Sequence, residues 1–237
     1  MDIDSVVHWG ILGCAQIARK NIRAIRLSPF AKLVALASRD RKKAEQFVIE
    51  NSLSEDSSLK IYTSYDDLLN DDQIDAVYIP LPTAFHLEWV RKAAVAKKHI
   101  LVEKPVALSI RDLRDMIAVC RENNVNLMDG VMFMHHKRLQ SILHVLTDPI
   151  PRQVKLVQSS FSFNGGSTEL MDKNIRTNAS CDPLGALGDL GWYCVRIGIL
   201  AFSGLPHDFM NSKDYDYKEN GNDSNQLPWK LVPTRLE

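Results

Sequence analysis

Residues His99 to Pro105 read HILVEKP, an apolar run that stops abruptly at Glu103-Lys104-Pro105. A Lys at the tip of a buried strand loses its charge more readily than a surface Lys, because desolvation disfavours the ammonium form. Lys104 is therefore the first candidate for chemistry. Pro105 fixes its own φ and steers Lys104 away from helical geometry, which holds the lysine in place. On residue type alone, a Lys beside a strand-ending proline is more often a solvated loop residue. Context favours the other reading, since the run belongs to a series of strand-like segments whose first member opens into a glycine turn.

That turn is Gly13-Cys14-Ala15-Gln16-Ile17-Ala18. It matches the fingerprint G-x-G-x-x-G/A, with Ala15 in place of the second glycine. Such a turn brings backbone close to a pyrophosphate and aims the N–H groups of a helix N-terminus at the anion. The Ala15 methyl makes that approach slightly less permissive. Gly10, inside the strand, is not part of the turn. The second strand ends Ala37-Ser38-Arg39, where an NAD-preferring site usually has an Asp or Glu for the ribose 2′-hydroxyl. Arg39 suits a 2′-phosphate instead, with Arg41, Lys42 and Lys43 close behind, so NADP is expected ahead of NAD. Asp40 is adjacent and within reach of a ribose, which keeps NAD open. Lys42 reads as a solvated helix face.

The elements that position these residues alternate. Strand-like runs fall at Val6–Leu12, Leu33–Ala37, near Ile61, at Ala76–Ile79, Ile100–Val102 and Val125–Met128. Helical patterns fall between them at Ile17–Leu27, Arg41–Asn51, Tyr65–Asn70, from an N-capping Thr83 to Lys97, and from a capping Ser109 to about Asn123. Strands separated by helices imply βαβ units and right-handed crossovers, hence an α/β, doubly wound parallel Rossmann sheet over residues 1–130. After Gly130 the pattern changes. Val154–Phe163 alternates apolar and polar residues from Val157 onward and reads as a strand of an antiparallel or mixed sheet. A helix is expected over Leu187–Phe202. Residues 131–203 thus read as an incomplete α+β second domain. Residues 204–237 read as a polar tail, in which Asn211–Gln226 has only two tyrosines as large apolar groups and is expected to be disordered.

Bulk properties are those of an ordinary globular chain. Lys+Arg and Asp+Glu number 29 each, so the balance of charge suggests neither a nucleic-acid nor an anionic-membrane partner. The four cysteines, Cys14, Cys120, Cys181 and Cys194, lack metal-ligand spacing, so no metal is expected and reduced thiols are the simpler reading. MDIDSVVH has no basic n-region, and no apolar stretch approaches the ~20 residues that span a bilayer, so a cytoplasmic protein is expected.

Four pieces together, GCAQIA, PLPTAFH, EKP and Leu184–Arg196 (LGALGDLGWYCVR), resemble the Gfo/Idh/MocA family of NAD(P)-dependent oxidoreductases. Within it the chain looks most similar to the dihydrodiol dehydrogenase branch and its plant relatives. The resemblance implies that Lys104 lies near the nicotinamide and the substrate hydroxyl, and that Glu103 and Pro105 shape its turn, with an X-Pro bond open to the cis form. It matches Pro80, Leu81, Thr83 and His86 to the segment lining the nicotinamide pocket. Gly13, Cys14, Ala15, Gln16, Ile17, Ser38 and Arg39 complete the expected cofactor site. It also maps a D-x-x-x-H/Y element onto Asp189 and Tyr193, which on a helix project from one face. The implied activity is hydride transfer between NADP and a CH–OH group of a sugar, polyol or dihydrodiol, with Lys104 or Tyr193 moving the proton. The resemblance implies that full-length relatives continue well beyond this helix, with a homodimer possible for them. The chain departs from that pattern, so the alternative expectation is a shortened nucleotide- or partner-binding protein without turnover, in which dimerisation is doubtful.

Overall fold

A computed structural model of the chain describes residues 6–54, 56–147, 154–162, 164 and 177–203. The chain divides into two compact units, Met1–Gly130 and Val131–Glu237.

The first unit is a six-stranded parallel sheet. Its strands are β1 (Val7–Leu12), β2 (Ala31–Ala37), β3 (Lys60–Tyr62), β4 (Ala76–Ile79), β5 (His99–Val102) and β6 (Leu127–Asp129), in the order β3-β2-β1-β4-β5-β6. That is the order of a dinucleotide-binding Rossmann sheet, reversing direction between β1 and β4. Alternation along each strand explains why both faces are covered. Ile11, Leu36 and Tyr78 point to one face, where α1 (Ala18–Leu27) and α2 (Arg41–Glu50) supply Ala18, Ile22, Ala44 and Phe47. Leu12, Ala35, Ala37, Val77, Ile79 and Val102 point to the other. There α3 (Tyr65–Leu69), α4 (His86–Val95) and α5 (Ile110–Glu122) bring Leu68, Val90, Ala93, Met116 and Cys120. Gly10 belongs to this packing rather than to the turn: a Cβ there would stand 2.8 Å from Leu68 Cδ2 and 3.2 Å from Ile74 Cδ1.

One cap differs from expectation. Thr83 does not cap α4; a 3-10 turn, Thr83–Phe85, intervenes, closed by the Phe85 N–H on the Pro82 carbonyl at 2.9 Å, and Thr83 is buried. A 3-10 turn of this kind tightens the entry to a helix without a side-chain acceptor.

The second unit, among its described residues, is helical. It contains a 3-10 turn (Met132–His135), α6 (Lys137–Thr147), a π-turn (Leu187–Gly191) and α7 (Trp192–Ser203). Leu139 and Leu200 form its small core with Phe133, Met134 and Ile197. The strand expected over Val154–Phe163 is absent: residues 154–162 carry no ladder, and Leu156 and Phe161 are exposed. A strand exists only by pairing, and none of the other described residues of this unit forms a strand to pair with. Phe163 and the polar segment Asn211–Gln226 lie outside the described residues. No described helix is long and apolar enough to cross a membrane.

Candidate active site

The carboxyl ends of β1, β2, β4 and β5 gather most of the expected site. At β1 the chain leaves through Gly13, whose φ of 108° is a conformation side chains rarely adopt. Its N–H donates to the Ala37 carbonyl at 2.8 Å, tying the turn to the tip of β2. A Cβ on Gly13 would stand 3.0 Å from Leu81 Cδ2 and 3.5 Å from the Tyr65 hydroxyl. Cys14, Ala15 and Ile17 are half-buried behind it and Gln16 is exposed.

The helix that follows differs at its N-terminus from α2, α3 and α5. Asp40, Ser64 and Ser109 cap α2, α3 and α5 with side-chain oxygens. α1 has no side-chain cap on Ile17 and no acidic residue in its first turn. The Ala18, Arg19 and Lys20 N–H groups of this turn donate to the Ala15, Gln16 and Ile17 carbonyls. A helix start without a side-chain cap or acidic residue beside a close-approach glycine suits a pyrophosphate, so the residues present fit a dinucleotide.

The tip of β2 separates the two possible ribose partners. The Asp40 carboxylate accepts the Lys43 N–H at 3.2 Å as the cap of α2, and the Asp40 N–H donates to Ser38 Oγ at 3.2 Å. Arg39 is exposed, and its guanidinium is a close neighbour of the Tyr65 hydroxyl. Burial pushes the Cys14 thiol up, against a hydrogen bond with Ser38 and the charge of Lys43, so these groups crowd one side of the glycine turn.

At β4 and β5 the EKP turn is held from beneath. Lys104 is half-buried, the Lys104–Pro105 bond is cis, and Pro105 is buried. His86 is 0 % exposed. Its Nε2 lies 2.8 Å from the Leu81 carbonyl, and its Nδ1 lies 3.1 Å from that of Pro105 and 3.0 Å from that of Val106. A ring so enclosed does not line a pocket. His86, expected as a cofactor contact, bridges the PLPTAFH and EKP segments through these three carbonyls. Thr83, 6 % exposed, likewise offers little surface. Pro80 is buried, and of this segment it is Leu81 that meets the glycine turn.

Glu103 accepts the Tyr78 hydroxyl at 2.5 Å. Burial and the Glu103 charge together push Tyr78 ionisation well up, while a hydrogen bond with Asn21 acts the other way. The Tyr78 hydroxyl thus ties β4 to the residue before Lys104. The sequence reading singled out neither Tyr65 nor Tyr78 for the site; the available cue was position, one opening α3 and the other inside β4.

In the second unit Asp189 lies in the π-turn and Tyr193 in the first turn of α7. The pair therefore straddles a change of helix type, a kind of irregularity frequent at functional sites. Tyr193 packs against the rings of Phe133, Phe161 and Trp192, with centroids 5.8, 5.3 and 5.5 Å away. No cluster of metal-ligating side chains occurs among the described residues.

Comparison with known proteins identifies the family of this fold. The chain is 32% identical over 222 residues to a dTDP-3,4-didehydro-2,6-dideoxy-alpha-D-glucose 3-reductase of Actinomadura kijaniata, covering 91% of this chain and 63% of the reductase. It is 29% identical over 200 residues to the trans-1,2-dihydrobenzene-1,2-diol dehydrogenase of Danio rerio, covering 84% of this chain and 57% of that enzyme. A crystal structure of a Tyr-to-Phe variant of a 3-ketoreductase from Actinomadura kijaniata, in complex with TDP-benzene and NADP, superimposes with a TM-score of 0.74 at 30% identity. That match covers 84% of this chain and 58% of the reductase. The chain thus spans about three-fifths of the length of these relatives. Residues 7–131 match the Gfo/Idh/MocA oxidoreductase family with its NAD-binding Rossmann fold, and the chain belongs to that family.

Proposed function

We propose that the chain is an NADP-dependent oxidoreductase acting on a CH–OH group, or the corresponding carbonyl, of a sugar, polyol or dihydrodiol. The observation that carries the cofactor is the tip of β2, where Asp40 is engaged as a helix cap and Arg39 stands at the glycine turn. Gly13, Cys14, Ala15, Gln16 and Ile17 hold the pyrophosphate, Ser38 and Arg39 the 2′-phosphate, and Leu81 with the Glu103-Lys104 turn the nicotinamide end. When bound, the nicotinamide supplies or accepts a hydride at its C4. Lys104 moves the hydroxyl proton, as acid in reduction and base in oxidation. Tyr193 is the second candidate for that proton, and Asp189 orients the substrate. Titration with NADPH and NADH, followed by a screen of sugars, polyols and dihydrodiols, tests the reading. NADPH binding tighter than NADH, with turnover lost in Lys104→Ala while binding persists, is expected. Wild-type turnover in Lys104→Ala overturns the assignment.

A second reading is favoured by one observation. Residues 154–162, read from the sequence as a strand of the second domain, form none. In that reading the first unit binds NADPH and no hydride is transferred. Binding without turnover in the same screen supports it.

A further inference from the structure

The Tyr65 hydroxyl lies beside both the glycine turn and the Arg39 guanidinium. It lies 3.5 Å from the point a Gly13 Cβ would occupy, and the Arg39 guanidinium is near enough to favour its ionised form. The ring behind it is held firmly. Tyr65 opens α3 immediately after the capping Ser64 and is 9% exposed. It stands edge-on to Trp89 of α4 with centroids 4.9 Å apart, and Lys92 Nζ sits 4.2 Å over the Trp89 ring. Buried aromatic packing of this kind leaves few rotamers open.

Arg39 by contrast is exposed at a loop tip and carries a long, rotamer-rich side chain. A guanidinium presents several N–H donors, so one bond to a hydroxyl leaves others for a phosphate. Holding such a side chain in the required place before the ligand arrives removes ordering cost from binding. We infer that Tyr65 is a specificity-determining positioning residue, holding Arg39 against the glycine turn so that it meets a 2′-phosphate and thereby favours NADP over NAD. The inference rests on the cofactor reading proposed above and extends it to a residue outside the fingerprint.

The test uses the full 237-residue chain and measures, by calorimetry, the affinities of NADPH, NADH, adenosine 2′,5′-bisphosphate and adenosine 5′-monophosphate. Tyr65→Phe keeps the ring against Trp89 and removes only the hydroxyl. Its expected effect is about a fivefold to tenfold loss for the two ligands carrying a 2′-phosphate, the weight of one hydrogen bond to a charged group. The other two ligands are expected to change less than twofold. In an Arg39→Ala background the same substitution is expected to do nothing further to the bisphosphate. An equal loss for all four ligands, or an undiminished effect in the Arg39→Ala background, overturns the inference and leaves Tyr65 a core aromatic. Wild-type protein without preference for NADPH overturns the cofactor reading itself, which separates the two failures.

Discussion

The His86 imidazole meets the carbonyl oxygen of Pro105, 3.1 Å away and 19 residues further along the chain. With Val106 and Leu81 on its other contacts, it joins the segment after β4 to the turn that carries Lys104. Carbonyl oxygens only accept, so a side chain without N–H donors leaves buried acceptors unpaired. His86→Ala is expected to destabilise the first unit by about 2–4 kcal/mol, combining a cavity with lost hydrogen bonds. The measurement is a chemical denaturation midpoint. Turnover is expected to fall more than NADPH affinity, because Lys104 loses its support while the glycine turn does not. Equal loss of both points to general unfolding instead.

Asp40 offers a contrast between structural and cofactor roles. Its carboxylate caps α2 on the Lys43 N–H. Asp40→Ala is expected to cost about 1 kcal/mol of stability, the usual worth of such a cap. NADPH affinity is expected to hold or improve, since a negative charge leaves the neighbourhood of the phosphates. A fall in NADH affinity beyond threefold would place the carboxylate on the ribose and reverse the assignment.

The central strands of the first unit were legible because both faces of a parallel sheet are covered, so they read as apolar runs such as Ala76–Ile79. The glycine turn was legible for a similar reason: Gly13 needs a backbone conformation that few residues tolerate. Alternation failed at residues 154–162, since a period of two says which face a strand would bury and nothing about whether a partner exists. Thr83 failed as a cap because a threonine before a helix is equally at home in a 3-10 turn. The His86 contacts were beyond local reading altogether, as they depend on carbonyls from two separated segments.

The acid and alkaline limbs of stability are expected to meet at one cluster. Burial pushes the Asp71 carboxyl up, but hydrogen bonds from Lys60, the Gln73 N–H and Tyr62, with the Lys60 charge, outweigh it and bring it to about 2. Its lowered value stabilises the fold above the ordinary 3.8, and that contribution is lost as pH falls from 3.8 towards 2. Tyr62 is pushed up to about 12 by burial and by Asp71, so its contribution is present below 10 and lost as pH rises from 10 towards 12. The Asp71 side chain is 10% exposed and that of Lys60 48%, so screening reduces the acid term to about 1–2 kcal/mol. Asp71→Asn is expected to flatten both limbs of a Tm-against-pH profile. An unchanged acid limb would assign acid unfolding to other carboxylates.

Gly130 and Tyr78 define the space in which Glu103 sits. A Cβ on Gly130 would stand 3.2 Å from Glu103 Oε1, 3.2 Å from the Val102 carbonyl and 3.3 Å from Glu103 Cα. Two of those neighbours are backbone atoms of the strand end, so the carboxylate is the part that gives way. Gly130→Ala is therefore expected to shift Glu103 off the Tyr78 hydroxyl, at about 1–3 kcal/mol. Tyr78→Phe removes the same contact from the other side and leaves a half-buried carboxylate short of a donor, at a similar cost of about 1–3 kcal/mol. Because both substitutions act on one hydrogen bond, the double variant is expected to lose clearly less stability than the sum of the single ones. Spectroscopic titration adds a direct readout: burial and the Glu103 charge hold Tyr78 un-ionised far into alkali, and Gly130→Ala is expected to bring its ionisation down. Additive losses and an unmoved tyrosine titration would mean that Gly130 constrains the backbone of the β5 end without acting through Glu103.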